Sequence, residues 1–364
     1  MKYIDEFRDP ELARKLVARI HRNSTQKITL MEFCGGHTVA IFRHGIRQLL
    51  PQNITMLSGP GCPVCVTANS DLDKTIALAH LPNTIITTFG DLFKVPGSYS
   101  SLAEVKAEGS DIRIVYSVQD ALDIARDNPD KSVIFIGIGF ETTAPTIAAS
   151  VLEAERERIT NYYILPLNKL CPPIMKALLK LGEINISGII APGHVSAIIG
   201  SYPYNFIPKD FSVACVISGF EPLDILLSID MLLNQIETGD CKVEIAYRRG
   251  VKAEGNREAI RLLGEVFEDG EACWRGIGMV SSSGLKLNKK YQRYDVENNF
   301  NIETRPALEP KGCICGSILR GVSTPPDCKL FRQKCTPEQP VGPCMVSSEG
   351  SCATYYQYGN GDER

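Results

Sequence analysis

The sequence lacks several features that mark common classes of protein. Its 364 residues carry a net charge of only −3, so nothing suggests nucleic acid or an anionic membrane as the main partner. No apolar run approaches the roughly 20 residues that a membrane-spanning helix needs. The first residues are charged and amphipathic and lack the apolar core of a signal peptide. We therefore expect a cytoplasmic protein that binds neither nucleic acid nor membrane.

Nucleotide-binding signatures are also missing. The chain has no GxxxxGK[ST] phosphate loop, and GIGFET (137–142) lacks the third glycine of a dinucleotide-binding fingerprint. Direct sequence evidence for nucleotide binding is therefore weak. Histidine is scarce as well, with five in the chain and none after residue 300. That absence excludes a Cys/His zinc finger from the C-terminal segment.

Cysteine, by contrast, is abundant, with thirteen in the chain. In a cytoplasmic protein such a number favours metal binding or thiol redox chemistry over a disulfide framework. Six of them lie in a proline-dense segment without apolar runs, which needs a metal or disulfide staple. These six are Cys313, Cys315, Cys328, Cys335, Cys344 and Cys352. Their wide, irregular spacing favours an iron–sulfur cluster over tetrahedral zinc, and thiols or disulfides without metal are the third possibility.

Short apolar runs alternate with helix-like stretches over the first 300 residues. ITLMEF (28–33) and SVIFIGIG (132–139) are examples of these runs, most of which end near Gly, Pro or Ser. Continuous apolar strands that alternate with amphipathic helices indicate parallel sheets covered on both faces. We predict an α/β protein with two parallel-sheet domains that face a cleft. The predicted ranges are 1–155 and 156–300, followed by a small Cys-rich domain over 301–364.

Cys62 and Cys65 form a C-x-x-C pair within the loop GPGCPVC (59–65). Such a pair can close a disulfide, act as a dithiol or give two ligands to a metal. Pro63 fixes φ and removes a backbone donor, and the two glycines permit close backbone approaches. We expect the loop to hold its thiols at a defined place. The alternative is a buried turn with two incidental cysteines.

Further polar residues follow predicted strands. Cys34 lies where a strand enters a Gly-Gly turn and a helix, whose amides should lower its thiol pKa. His37 lies three residues later, and His194 occupies a similar loop. Glu141 follows the most apolar strand and can accept a proton, position a ligand or cap a helix. Since open α/β sheets bind ligands at the carboxyl ends of strands, these residues are site candidates, with core or capping roles as alternatives.

The remaining polar candidates are weaker. Asp91 and Glu221 also follow strands, where turn or cap roles are at least as expected. Four further thiols lie in or beside apolar runs, and we interpret them as buried structural cysteines. They are Cys171, Cys215, Cys241 and Cys273.

Taken together, the motifs resemble those of the HypD family of hydrogenase maturation factors. They span nearly the whole chain in order: CGGHT (34–38), GPGCPVC (59–65), TFGD (88–91), GFETT (139–143), PGHV (192–195), SGFEP (218–222) and the Cys-rich tail. The resemblance implies a scaffold that assembles the Fe(CN)2CO unit of nickel–iron hydrogenases. It implies a complex with the small chaperone HypC, cyanide delivery by HypE and a 4Fe–4S cluster in the C-terminal domain.

The resemblance also implies roles for particular residues. The essential thiols of the iron-binding cleft would be Cys34, Cys62 and Cys65. The residues lining it would be His37, Glu141 and His194. The cluster ligands would be Cys313, Cys328, Cys335 and Cys344, with Cys315 or Cys352 able to replace one of them. A C-x-x-C pair exchanges two electrons, so we hypothesise that the cluster relays electrons to it. We expect the chain alone to be a monomer.

Two other functions fit part of the sequence. A thiol–disulfide oxidoreductase like ferredoxin:thioredoxin reductase would use the dithiol and the cluster, but it leaves Cys34, His37 and GFETT without a role. A non-catalytic binding module stapled by zinc would explain the Cys-rich segment alone. Disulfide turnover would identify the first, and a colourless, zinc-containing protein the second.

Overall fold

The structure, a computed structural model, describes residues 5–359. Its strands form two parallel sheets and one antiparallel hairpin. The strands are β1 (Ile28–Glu32), β2 (Ile54–Ser58), β3 (Thr84–Thr88), β4 (Ile112–Ile114), β5 (Ser132–Gly137), β6 (Tyr162–Pro166), β7 (Gly188–Pro192), β8 (Ala214–Ser218), β9 (Val243–Ile245), β10 (Phe267–Trp274) and β11 (Gly278–Leu287). The parallel sheets confirm the predicted α/β class.

Helices connect and cover these strands. They are α1 (Pro10–Asn23), α2 (Gly35–Arg43), α3 (Ile46–Leu49), α4 (Pro63–Val66), α5 (Asn69–Ala79), α6 (Gly90–Phe93), α7 (Leu102–Ala107), α8 (Val118–Asp127), α9 (Ala144–Glu157), α10 (Cys171–Leu181), α11 (Gly193–Ile199), α12 (Phe206–Phe211), α13 (Pro222–Thr238), α14 (Arg257–Val266), α15 (Val296–Asn299), α16 (Cys315–Leu319), α17 (Pro343–Val346) and α18 (Ser351–Tyr358). Among the helices of residues 5–359, none has the length and apolar character that crossing a membrane requires.

The first sheet has the order β2-β1-β7-β8-β9, and all its strand pairs are parallel. Strand β1 lies inside this sheet, with Ile28 opposite Ile54 on one side and Leu30 opposite Gly188 on the other. The second sheet is also parallel and has the order β4-β3-β5-β6. Because the strands within each sheet are parallel, the loops that follow them lie at one edge of that sheet.

The two sheets do not follow the predicted division at residues 155 and 156. Strands β1 and β2 share a sheet with β7 to β9, which lie more than 100 residues later, while β6 pairs with β5. The sequence pattern marks strands but not their partners, and neighbouring strands in sequence pair only about two-thirds of the time. The predicted contiguous domains therefore differ from the observed sheets.

One hydrophobic core joins both sheets, the hairpin and the Cys-rich segment. It includes Met31 from the first sheet, Ile134 from the second, Trp274 from the hairpin and Leu319 from α16. The Cys-rich segment packs onto the sheets through short helices, since α18 contacts α2 and α17 contacts α4. This arrangement brings the C-terminal cysteines to the loops that follow β1 and β2.

Candidate functional site

Cys34 and the GPGCPVC loop are in direct contact. Cys34 is the N-cap residue of α2, directly after β1, and the backbone N–H of Gly35 donates to the carbonyl of Gly61 at 3.2 Å. A Cβ atom on Gly61 would overlap the backbone of Cys34. Only glycine permits this approach, so the local sequence of the loop sets its position against Cys34.

Cys62 and Cys65 form a disulfide, with 5.3 Å between their Cα atoms. Cys62 is the N-cap of α4, and its Sγ accepts the backbone N–H of Cys65 at 3.2 Å. Both side chains are buried. Of the three states that the sequence left open for this pair, the structure has the disulfide.

The predicted lowering of the Cys34 pKa is wrong. Burial, together with the carboxyl groups of Glu349 and Glu32, raises the pKa of this thiol to about 12. The N–H groups of Gly36 and His37 at the start of α2 oppose this shift but do not outweigh it. Cys34 is therefore protonated at neutral pH, and binding to a metal cation would release its proton.

A histidine–phenylalanine–histidine stack joins two of the predicted motifs. Phe220 stacks on His37 with ring centroids 4.5 Å apart and on His194 with centroids 3.9 Å apart. His37 is fully buried, and its Nε2 lies 3.0 Å from the carbonyl oxygen of Gly219. A carbonyl can only accept, so Nε2 carries the hydrogen, and burial lowers the pKa of His37 to about 4. The loops after β1, β7 and β8 thus meet at Phe220.

Glu141 is buried beside Cys171 rather than exposed in a cleft. Its Oε1 accepts the backbone N–H of Cys171 at 2.9 Å, and burial raises its pKa to about 7. Burial and the nearby Glu141 and Cys34 raise the pKa of the Cys171 thiol. Cys171 is therefore a neighbour of the predicted site that sequence reasoning assigned only to the core, because no motif marks it.

The second-tier candidates have structural contacts. Glu221 forms a capping box with Asp224 at the start of α13 and accepts a hydrogen bond from Arg8 at 2.9 Å. Asp91 lies in the first turn of α6 and raises the pKa of Glu349, although burial of Glu349 is the larger cause. For Glu221 this is the capping role that the sequence allowed.

Two of the four isolated thiols are buried as predicted, and two are not. Cys171 and Cys215 are buried. Cys241 and Cys273 are partly exposed, so their interpretation as buried cysteines is wrong. Each lies at an element boundary or on a hairpin strand with one face toward solvent, where an adjacent apolar run does not imply burial.

All six C-terminal cysteines line one pocket. Its other lining residues are Ile318, Leu330, Phe331, Gly342 and Met345, without a carboxylate or histidine. Soft thiolate donors within apolar walls are the environment that an iron–sulfur cluster uses, so the residues present fit such a group. Among residues 5–359, no three His, Cys, Asp or Glu side chains are arranged so that they could bind a single metal ion.

Two of these thiols are in contact with each other. The Sγ atoms of Cys315 and Cys344 lie 2.8 Å apart. This contact lowers the pKa of Cys315, as does the positive charge of Arg275, against the effect of burial. The same contact raises the pKa of Cys344, and a hydrogen bond with Cys352 raises it as well. Four thiols of the pocket stand outside this pair: Cys313, Cys328, Cys335 and Cys352.

The thiol pair of the pocket lies close to the disulfide. Helix α4, which contains Cys65, packs against α16 and α17, which contain Cys315 and Cys344. All three cysteines belong to one hydrophobic cluster. The Cys315 and Cys344 pair therefore lies on helices that pack against the helix of the disulfide. No sequence motif predicts this packing, because about 250 residues separate the two pairs.

Comparisons with known proteins agree on one family. The sequence model of the HypD family, described as "Hydrogenase formation hypA family", matches residues 11–359. The "Hydrogenase maturation factor HypD" of Azotobacter vinelandii is 46% identical over 368 residues, covering 99% of this chain and 97% of the relative. The protein of that name from Escherichia coli strain K12 is 41% identical over 366 residues, covering 98% of both chains.

Proposed function

The chain belongs to the HypD family of hydrogenase maturation factors, and we propose that it is the scaffold on which, together with HypC, the Fe(CN)2CO unit is assembled. In this proposal the iron ion is cargo held at Cys34, and HypE delivers the cyanide groups. The observation that carries the proposal is the meeting of family motifs at one place. The GPGCPVC loop touches Cys34, and the motifs that contain His37 and His194 meet at Phe220.

The environment of Cys34 suits a metal cargo. Its thiol has a pKa raised to about 12 by burial and by nearby carboxyl groups, so a free thiolate there is unfavourable. A bound cation removes this penalty, because it deprotonates a coordinating thiol and neutralises its charge. Thiolate is also the soft donor that low-spin iron with cyanide and carbonyl ligands prefers. Cys34 is thus suited to bind iron and to remain protonated without it.

A resident 4Fe–4S cluster is the second part of the proposal. The Sγ atoms of Cys315 and Cys344 lie 2.8 Å apart, and Cys315 is the largest influence on the Cys344 thiol, ahead of Cys352. We therefore pair these two and assign the cluster ligands to the four other thiols, Cys313, Cys328, Cys335 and Cys352. This assignment replaces Cys344 of the sequence-based set with Cys352. When bound, such a cluster supplies electrons one at a time.

The Cys315 and Cys344 pair would then reduce the Cys62–Cys65 disulfide. A thiolate of the reduced pair attacks one sulfur of the Cys62–Cys65 disulfide, which forms a mixed disulfide and releases one thiolate. The second thiol of the pair attacks in turn, so Cys315–Cys344 becomes the disulfide. Cys62 and Cys65 receive two electrons and two protons. This step requires both pairs to lie on packed helices, as α4, α16 and α17 do. A disulfide reductase would share this step, but the full-length family match favours the maturation function.

Anaerobic co-purification with HypC tests the proposal. We expect the wild-type chain to yield a complex with iron and with infrared bands of cyanide and carbonyl. Cys34→Ser should lose the bands, whereas Cys241→Ser, which removes a partly exposed thiol outside the site, should keep them. The double variant Cys62→Ser, Cys65→Ser tests the redox role. Full bands in that variant would show that the disulfide is not needed, and full bands in Cys34→Ser would refute the iron site.

A further inference from the structure

The turn between β10 and β11 lies between the disulfide loop and the Cys-rich segment. On one side, Arg275 contacts the residues that follow Cys65. Its backbone N–H donates to the carbonyl of Val66 at 2.9 Å, and its Nε donates to the carbonyl of Thr67 at 3.0 Å. Its Nη2 donates to Oδ1 of Asn69 at 2.6 Å. One residue thus holds the chain from the last residue of α4 to the first residue of α5.

The other side of the same turn contacts the Cys-rich segment. Nη1 of Arg275 donates to Oε2 of Glu309 at 2.9 Å, just before the first cysteine of the pocket. The next residue, Gly276, packs against Gly316, so closely that a Cβ on either glycine would overlap the other. Arg320 donates to the carbonyls of both glycines. The turn is therefore attached to α4 and to α16 at the same time.

The burial of Arg275 indicates a role beyond stabilising the fold. Its side chain is 1% exposed, and its acceptors come from the α4–α5 connection and from the segment before α16. Burying a guanidinium group is costly, and well-packed apolar residues stabilise a fold at least as well as a buried ion pair. A planar fork of donors, however, fixes several acceptors in one relative geometry, which neither apolar packing nor a lysine can do. Arg275 therefore fixes the α4–α5 connection and the segment before α16 in one relative position.

We propose that Arg275 is a positioning residue for thiol–disulfide exchange, which keeps the Cys62–Cys65 disulfide aligned with the Cys315 and Cys344 pair. This inference rests on the proposed function, because it assumes that the two pairs exchange. Exchange requires a thiolate to reach a disulfide sulfur, and small misplacements of reacting groups slow such reactions strongly. The hydrogen bonds of Arg275 go to the segments on either side and to no reacting sulfur, so its positioning acts through those segments. Its charge also acts on Cys315 directly, and a variant that keeps the cation separates that effect from positioning.

The test measures how fast the reduced Cys315 and Cys344 pair reduces the disulfide in the full-length protein. Dithionite, the electron source for the Cys315 and Cys344 pair, is added anaerobically to protein in which both cysteine pairs are disulfides. Samples are quenched with acid and a maleimide, and labelled peptides are quantified by mass spectrometry. Cys315→Ser gives the background rate of direct reduction. A separate reaction with a small phosphine reports the intrinsic reducibility of the disulfide in each variant.

Two variants and one control separate the effect of Arg275 on alignment from its effects on charge and on folding. Arg275→Lys keeps a cation but loses the fork, and Arg275→Gln loses both. Arg126→Gln is the control, because the Arg126 guanidinium likewise joins two elements. It lies on α8 and binds one carboxylate of α8 and two of α9, and neither helix contains a thiol. We expect the internal rate to fall by about one to two orders of magnitude in both Arg275 variants, with the phosphine rate and the control unchanged. If Arg275→Gln does not fold, Arg275→Lys carries the test.

Several results would overturn the inference. A wild-type internal rate in Arg275→Lys would show that only the charge matters. Internal and phosphine rates that fall in the same proportion would indicate a damaged disulfide rather than lost alignment. If the wild-type chain shows no internal reduction above the Cys315→Ser background, the proposed exchange itself is wrong, and the role of Arg275 falls with it.

Discussion

At the scale of single residues, burial outweighs local position in setting the chemistry of the site. Cys34 lies at a helix N-terminus, which favours a thiolate, yet desolvation and two carboxyl groups raise its pKa to about 12. Glu141 and Glu32 are also buried, and desolvation raises the pKa of each to about 7. Sequence patterns indicate that a residue lies at a helix N-terminus but not that it is desolvated, because burial depends on segments that are distant in the chain.

The raised pKa of Glu141 predicts a pH-dependent stability. Its ordinary pKa is 4.5, so between pH 4.5 and about 7 the folded state holds a proton that the unfolded state has released. The free energy of unfolding should therefore fall by about 3 kcal/mol from this group as pH rises through that window, and change little beyond it. Glu141→Gln removes the titration and keeps an oxygen that can accept the N–H of Cys171.

Urea unfolding of both proteins at a series of pH values checks this prediction. Glu32 has a similar shift but is present in both proteins, so its contribution cancels in the difference. The difference in unfolding free energy should move in favour of Glu141→Gln by about 3 kcal/mol between pH 4.5 and 7. Parallel curves over that range would mean that the pKa of Glu141 is not raised.

At the scale of elements, the sequence predicts the helices and strands that are determined by their own local residues. The apolar runs ITLMEF and SVIFIGIG predicted β1 and β5. Asp9 caps α1, where its side chain accepts the N–H of Glu11 at 2.7 Å. The hairpin of β10 and β11 was not predicted. Its strands alternate buried and exposed residues unevenly around a register shift between Gly270 and Ala272, so no continuous apolar run marks them. The β10–β11 hairpin, whose turn contacts the segments of both cysteine pairs, could therefore not be predicted from the sequence.

Two glycines of this hairpin offer a matched comparison. Gly276 and Gly278 both have positive φ, at +71° and +97°, but only a Cβ on Gly276 would meet another backbone, that of Gly316. Alanine at either position incurs the backbone strain of about 1–2 kcal/mol. Gly276→Ala should lose a further 1–3 kcal/mol, approximately, because α16 must move away. Thermal unfolding of the two variants measures the difference, and equal losses would show that the contact with Gly316 is unimportant.

At the scale of the whole molecule, the motifs were predictable and their assembly was not. Cys34, His37 and His194 were identified because they follow strands, and the structure brings the loops of both histidines to Phe220. The division of the chain into sheets could not be predicted, because β1 pairs on one side with β2 and on the other with β7, across about 160 residues. A core that contains residues of both sheets makes each half depend on the other.

This dependence predicts that residues 1–155 do not fold alone. The fragment contains β1 to β5, but β1 would lose its pairing with β7, and β5 would lose β6. Buried apolar residues such as Met31 and Ile134 would then be exposed beside unpaired strand edges, which favours aggregation. The fragment should show no cooperative urea transition by circular dichroism, whereas the full-length chain should. Mixing it with residues 156–364 should restore a transition, because the two fragments together hold every strand of both sheets. A cooperative transition and dispersed amide resonances in the isolated fragment would show that the predicted first domain is independent after all.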